Sequence, residues 1–525
     1  MNALDYIIIV VYILGFIYLG YRFKNQDSGK SYYLGDKSFG WFPLAMSTIA
    51  TQLSAVSFIS APAFVGLKTG GGMKWLNYEF ALPLAMVFLM VVLIPSFYNA
   101  GIVSVYSFLE KRFGRSTRIL LSIVFQISRA FATGVMIYTV ALILMSVMSI
   151  PMWQTIIIIG IVTLIYSYQG GMKAVVYGDM IQMIILFLGI LICLFFGLHL
   201  LGGWDSFLAQ MDTNRLEVVD FNSLGFSGDE FGFWPMVLGG FFLYASYYGT
   251  DQSQVQRLFS ANSLKTVKQT LIVNGLIRYP VTLAYCIMGL VVGTFALSES
   301  SFLAEIPTDK PDRMIPVFIK NYLPSGIVGL LIVAIFSAAM SSLSSAINSL
   351  SAASVEDLLV RNKKVDDQTY LKYSKLTALF WGIVCLTLAF FVGDIAKTVI
   401  EAINKIGSVF YGPMLATFLA AVAIKQIHGK AINIGLITGV LVNVYMWLAV
   451  PSIFWFWWNA IGAVVTIIVA LLASQLIKSD QQQEDIPSID LKVDFSALKG
   501  SSVYLLLGYF VLIILVSLSI PALFN

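Results

Sequence analysis

Runs of about 20 apolar residues recur along the chain, the length that crosses a bilayer as a helix, and short polar turns separate them. Taken in order they predict about fourteen spans: residues 5–21, 41–64, 76–99, 118–149, 152–168, 174–200, 234–257, 266–296, 325–355, 371–392, 396–424, 431–449, 454–477 and 502–522. The pattern is that of an all-α polytopic membrane protein. Two spans depart from uniform hydrophobicity. The second carries polar residues through its middle, from Ser47 to Ser60, and then Pro62, which has no backbone N–H, so this helix is a candidate to be interrupted. The ninth holds the run Ser341-Ser342-Leu343-Ser344-Ser345.

Composition agrees with this reading: 58% of the 525 residues are hydrophobic and 11% charged. The longest polar stretches, an acidic loop near 201–233, Ser298 to Lys320 and Ser479 to Lys499, leave no room for a soluble domain. Arg22, Lys24, Lys30 and Lys37 follow the first span, Lys111, Arg112 and Arg115 the third, Lys265 and Lys268 the seventh, and Arg361, Lys363 and Lys364 the ninth. Such loops stay cytoplasmic, which places both termini outside and the chain as a multi-pass protein of the plasma membrane, the inner membrane if the source is Gram-negative. The first span lacks a basic leader and a small-residue cleavage pattern, and is read as a retained helix. The net charge of +4 comes from loop residues and gives no sign of nucleic-acid binding. Cys193, Cys286 and Cys385 are scattered in apolar helices, and His199 and His428 sit at helix ends without partners at ligand spacing. Neither set suggests a disulfide framework or a transition-metal site.

Charges inside a bilayer must be paired, hydrated or functional. Glu79, Arg129, Asp179, Asp251, Arg257, Arg278, Glu401 and Lys405 all fall within predicted spans. Arg257 is expected to reach the cytoplasmic interface along its aliphatic stem, and Glu401 with Lys405 to pair at i,i+4. In the hydroxyl run, Ser341 shares a helix face with Ser344 and Ser345, so their oxygens can converge on a hard cation; packing of small residues between helices is the plainer reading.

Three segments, in order, resemble the sodium/solute symporter family across nearly the whole chain. Tyr33-Leu34-Gly35-Asp36-Lys37-Ser38 is similar to the loop before that family's first core helix. Gly170-Gly171-Met172-Lys173-Ala174-Val175 through Asp179 to Gln182 resembles its Gly-Gly-x-x-Ala-Val-x-x-x-Asp-x-x-Gln signature, and Ala338 to Ser349 its sodium-site helix. The resemblance implies a core of two five-helix repeats of inverted topology. The first repeat is 41–200 and the second 234–424, with 1–40 as a first helix and loop, 201–233 as an external loop and 425–525 as peripheral helices. Each half opens on a polar helix, Ala50 to Pro62 and Tyr244 to Gln256, as inverted-repeat transporters require.

The resemblance also implies sites. A first Na⁺ would be held by the carbonyls of Ala50, Leu53 and Ala338 with the hydroxyls of Ser341 and Ser342. A possible second Na⁺ would take Asp179, Ser341, Ser344 and Ser345, so one or two coupling ions are implied, with two favoured. The solute pocket would draw on Gln52, Ser54, Ser57, Glu79, Arg129, Tyr244, Tyr247, Tyr248, Arg278 and Asn404. Glu79 with Arg278 resembles the pair that grips hydroxyls in sugar-transporting members, whereas Arg129 resembles an arginine that meets the carboxylate in sialic-acid-transporting members. Tyr244 stands where the sugar pattern has Asn. The expectation is therefore a Na⁺-coupled symporter of a small polar organic solute, sugar or polyol ahead of a carboxylate such as sialic acid or a monocarboxylate. No nucleophile with a base is evident, which argues against an enzyme. A transporter-like sensor would need an output domain, and none is expected because the sequence ends at Asn525 just after the last span.

Overall fold

The computed structural model describes residues 1–53, 55–148, 150–228, 231–360, 365–391, 399–477 and 498–524. Among these residues the long elements are all helices, and the β pairing is one isolated bridge from Phe39 to Ala261. Among the described residues eleven helices are long and apolar enough to cross a membrane, and a pair bent by 54°, Trp41–Gln52 with Ser57–Gly66, would make a twelfth crossing.

The expected fourteen spans differ from this in two places. Residues 152–168 and 174–200 belong to one stretch of 50 residues, Met152–Leu201. Straight, it would run about 75 Å, well beyond a hydrocarbon core of about 30 Å. It instead turns at Gly171, whose φ of 51° and ψ of −145° lie outside the helical region. Only glycine suits this point, because a Cβ here would also fall 2.6 Å from the carbonyl oxygen of Tyr32. The expected span 234–257 is divided into a π-helical turn, Pro235–Gly239, and two helices, Gly240–Thr250 and Gln252–Phe259, each too short to cross alone.

The hydroxyl-rich helix Ile327–Ala353 lies at the centre. Its span is 83% buried, against 22% for Ala3–Arg22 and 28% for Ser501–Phe524, which line the margin. Serine is tolerated there because its hydroxyl turns back on the helix: Ser344 and Ser345 donate to the Ser341 carbonyl at 3.0 and 2.7 Å, and Ser349 to that of Ser345 at 2.9 Å.

The second expected span is interrupted, and the break falls in its polar middle, within Ala50 to Pro62, rather than at the proline itself. Helix Trp41–Gln52 ends at Leu53, where φ is −80° and ψ is 79°, while Pro62 sits inside the helix Ala55–Gly66 that follows. Pro62 instead belongs to a close helix crossing. A Cβ on Gly289 would fall 2.7 Å from the Pro62 Cα, and one on Gly293 would fall 2.5 Å from the Gly66 Cα. Small residues let the backbones of Ala55–Gly66 and Leu264–Ser298 touch, the usual basis of helix association in lipid. A second proline, Pro413 in Val399–Ala423, strips the Val409 carbonyl of its helical donor, and Asn443 Nδ2 replaces it at 2.9 Å.

Outside the bundle, Arg215 of the acidic loop donates to the carbonyls of Val65 and Lys68 at 3.1 and 3.2 Å, capping the helix Ala55–Gly66. His428 is satisfied as an N-cap, with Ala431 N–H on its ring and Nε2 2.9 Å from the Ile477 carbonyl. Glu401 accepts from Lys68 Nζ at 2.7 Å, a partner the i,i+4 expectation did not include.

Candidate functional site

Both interrupted helices present their breaks to one cavity of about 110 Å³. From Trp41–Gln52 and Ala55–Gly66 come Thr51, Gln52 and Ser57; from the other interrupted helix come Tyr247 and Ser253; the hydroxyl-rich helix adds Ser342 and Ser345. Arg129, Thr133, Arg278 and Asn404 complete the polar lining, with Trp75, Tyr78, Tyr285 and Tyr411 as aromatic walls. A break suits this location, since backbone freed from a helix at membrane depth must line a cavity or be buried in protein.

Six of the ten expected solute residues therefore meet at the cavity: Gln52, Ser57, Arg129, Tyr247, Arg278 and Asn404. Ser54 lies outside the described residues. Glu79, Tyr244 and Tyr248 stand behind the wall. Glu79 Oε1 accepts Arg278 Nη2 at 2.7 Å and Thr282 Oγ1 at 2.9 Å, while Oε2 accepts the Tyr244 hydroxyl at 3.2 Å and Arg278 Nε at 3.4 Å. Four donors on a carboxylate that is 1% exposed leave it little capacity for a solute. Tyr248 donates to Gln52 Oε1, and Asn404 accepts from the Tyr78 hydroxyl at 3.0 Å. The arginines keep unused donors: Arg278 Nη1 and Arg129 Nε have no hydrogen-bond partner among the described residues.

The expected sodium residues fall into two groups. Ala50 is in the last helical turn before the break, Leu53 is the residue at it, and Ala338 is buried on the facing helix. Ser342 lines the cavity, and its hydroxyl has no partner among the described residues, unlike the serines around it. Ser341 instead donates to Asp179 Oδ1 at 2.6 Å, with Ser47 on Oδ2 at 2.5 Å. The structure thus brings together Asp179, Ser341 and Ser345, but with a guanidinium among them.

That guanidinium belongs to Arg257, and it overturns the expectation that this side chain reaches the interface. Arg257 is 1% exposed. Nη2 lies 2.9 Å from Asp179 Oδ2 and also meets Ser345, Nε lies 2.8 Å from Ser47 Oγ, and Nη1 meets the Ser253 carbonyl. Arg257 sits on Gln252–Phe259, packed against Trp41–Gln52 and the central helix, so its stem points into the bundle. An unpaired Asp179 there would be costly, and the arginine removes that cost. A second pairing, also not expected from the sequence, joins Arg129 to Asp251, the residue at the break of the second interrupted helix. Each charge was visible in the sequence; the pairing was not, because it joins residues 122 positions apart.

Among the described residues no three His, Cys, Asp or Glu side chains cluster as a transition metal would require. Hydroxyl and carbonyl oxygens around a neutral pocket are ligands for a hard monovalent ion.

Comparison with known proteins gives the same direction. The family model for the sodium:solute symporter family matches residues 32–439. The human sodium/iodide cotransporter is 27% identical over 441 residues, covering 83% of this chain and 67% of its own. The mouse sodium-coupled monocarboxylate transporter 2 is also 27% identical, over 440 residues, covering 83% and 70%. A substrate-bound, outward-open structure of a Na⁺-coupled sialic acid symporter superposes with a TM-score of 0.81 at 24% identity, over 92% of this chain and 99% of that one, and establishes the fold. Na⁺ is the coupling ion, the protein is a multi-pass transporter of the plasma membrane rather than an enzyme, and the chain belongs to the sodium:solute symporter family.

Proposed function

We propose that the chain couples inward movement of Na⁺ to uptake of a small organic carboxylate, by alternating access across a core of two inverted five-helix repeats within fourteen spans. The observation that carries this reading is the asymmetry of the charged wall. Two arginines face the cavity with spare donors, while Glu79 is withdrawn and saturated. A sugar or polyol needs acceptors as well as donors, and the sugar-gripping pair has lost its acidic half to an internal salt bridge. A carboxylate needs donors alone, and guanidinium is suited to it. The mouse relative named for monocarboxylate transport supports the same choice, and sialic acid, for which the structural neighbour is named, is an acidic sugar that also carries a carboxylate. The cavity of about 110 Å³ is small beside ordinary ligand pockets of about 300–1,000 Å³, which favours a short-chain acid.

Na⁺ supplies the missing charge. Arg129 with Asp251 and Arg278 with Glu79 are each neutral as pairs. A cation at the Ser342 hydroxyl and the carbonyls of Ala50, Leu53 and Ala338 would make the cavity net positive, and an anion would then be attracted strongly at low dielectric. Binding of each solute thereby favours the other, which is coupling. The Asp179 cluster already holds a positive charge in Arg257, so the reading takes one Na⁺ per carboxylate at the Ser342 site.

The test compares two substitutions in purified, Na⁺-loaded protein. Arg129→Gln should weaken binding of short monocarboxylates by about one to two decades, the equivalent of a charge-assisted hydrogen bond of about 1.5–3 kcal/mol, and should spare neutral analogues. Sugar binding that survives Arg129→Gln and fails in Glu79→Gln would overturn the carboxylate reading.

A further inference from the structure

We infer that Asp251 is an internal stand-in for the solute: its carboxylate occupies Arg129 in the empty carrier and is displaced when a solute carboxylate arrives. The inference rests on the carboxylate reading above and adds how the site is kept closed to the wrong solute and how binding is passed to a helix.

Asp251 is the one residue between helices Gly240–Thr250 and Gln252–Phe259, with φ of −79° and ψ of 119°. Its two carboxylate oxygens have separate duties. Oδ1 accepts the Ser253 N–H at 2.9 Å and the Ser253 hydroxyl at 2.6 Å, starting the second helical piece as an N-cap. Oδ2 turns the other way and meets Arg129 Nη2. Arg129 and Ser253, the two partners of the Asp251 carboxylate, both line the cavity, with Asp251 buried beside them. The guanidinium is held in place from a third direction, its Cζ lying 5.5 Å from the centre of the Tyr247 ring. Arg129 Nε has no partner among the described residues.

A solute carboxylate that docks on Arg129 in the bidentate manner needs two neighbouring guanidinium donors, and one of them is engaged by Asp251. Two carboxylates on one arginine in a poorly screened pocket repel each other, so the tighter the solute binds, the more Asp251 is driven off. Asp251 cannot move without disturbing the break, because Oδ1 anchors the helix that follows. That helix carries Arg257, which clamps Asp179 against the central helix. Displacement of Asp251 therefore joins solute binding to the helix whose Arg257 holds Asp179 and Ser345. A neutral solute has no charge with which to displace Asp251, so it meets an occupied arginine.

The experiment measures Na⁺-dependent binding of pyruvate and of a neutral analogue, pyruvamide, to full-length protein, alongside thermal unfolding. Asp251→Asn keeps the size of the side chain and removes its charge. It should tighten pyruvate binding about tenfold or more, by freeing Arg129, while lowering the rate of uptake, since binding no longer moves the helix. If Asp251→Asn unfolds, Asp251→Ala in the presence of formate replaces it: formate should raise its unfolding temperature by more than it raises that of the natural protein. Arg129→Gln/Asp251→Asn should fold and lose the gain, binding pyruvate about one to two decades more weakly than the natural protein. Unchanged pyruvate affinity in folded Asp251→Asn, or no greater response of Asp251→Ala than of the natural protein to formate, overturns the inference while leaving the carboxylate reading intact. Failure of the natural protein to bind any carboxylate removes the reading and the inference together.

Discussion

At the scale of single residues, Ser342 differs from its neighbours because its hydroxyl neither caps the helix nor meets Asp179, and it opens on the cavity. Replacing it with Ala should leave folding intact, since no internal hydrogen bond is lost, and should weaken the response of uptake to Na⁺ by about tenfold, the loss of one of few ion ligands. Sodium titration of uptake checks this, and an unchanged half-saturating concentration would place the ion elsewhere. Asp179 and Arg257 make a different case. Asp179→Asn alone strands a buried guanidinium and should cost about 3–5 kcal/mol, whereas Asp179→Asn with Arg257→Gln should restore much of the loss. Thermal unfolding of the single and double variants measures the difference; equal destabilisation would mean the two charges do not depend on each other. The run from Ser341 to Ser345 and the lone Asp179 were legible in the sequence because hydroxyls and charges stand out in apolar helix. The position of Arg257 was not legible, because a basic residue near the end of a span looks the same whether its stem points to lipid or into the bundle.

At the scale of elements, the two interrupted helices decide where the cavity lies, and the turn at Gly171 divides the long run Met152–Leu201. Interruption was foreseeable from polar residues inside spans. Its position was legible only to within the segment Ala50 to Pro62: the proline lies within a helix braced by Gly289, while the break falls at Leu53. Local chemistry signals that a helix is weak, and tertiary packing chooses where it yields. The Gly170-Gly171 signature did mark the turn inside Met152–Leu201. Gly171→Ala should destabilise the protein by at least about 1 kcal/mol, since alanine disfavours this positive φ and its Cβ would collide with the Tyr32 carbonyl. An unfolding temperature equal to that of the natural protein would contradict this. Gly101, also at positive φ but with open space where a Cβ would stand, gives a control that separates backbone strain from collision.

At the scale of the whole molecule, charge balance decides what crosses the membrane. Among the described residues four buried arginine–carboxylate pairs, Arg278 with Glu79, Arg129 with Asp251, Arg257 with Asp179 and Arg118 with Asp357, tie the central and interrupted helices to the rest of the bundle. With these pairs neutral, the transported charge is that of the ion and the solute alone. One Na⁺ with one monocarboxylate then carries no net charge, so uptake should respond to the Na⁺ gradient and not to membrane potential, which would otherwise contribute about 2.3 kcal/mol per charge at 100 mV. The most direct test is uptake of labelled pyruvate into proteoliposomes holding the purified protein, under an inward Na⁺ gradient, with the potential set independently. Accumulation should require Na⁺, be lost when K⁺ replaces it, and be indifferent to the potential. Pyruvate uptake that proceeds equally without Na⁺, or accumulation of a neutral sugar in its place, would contradict Na⁺-coupled carboxylate transport.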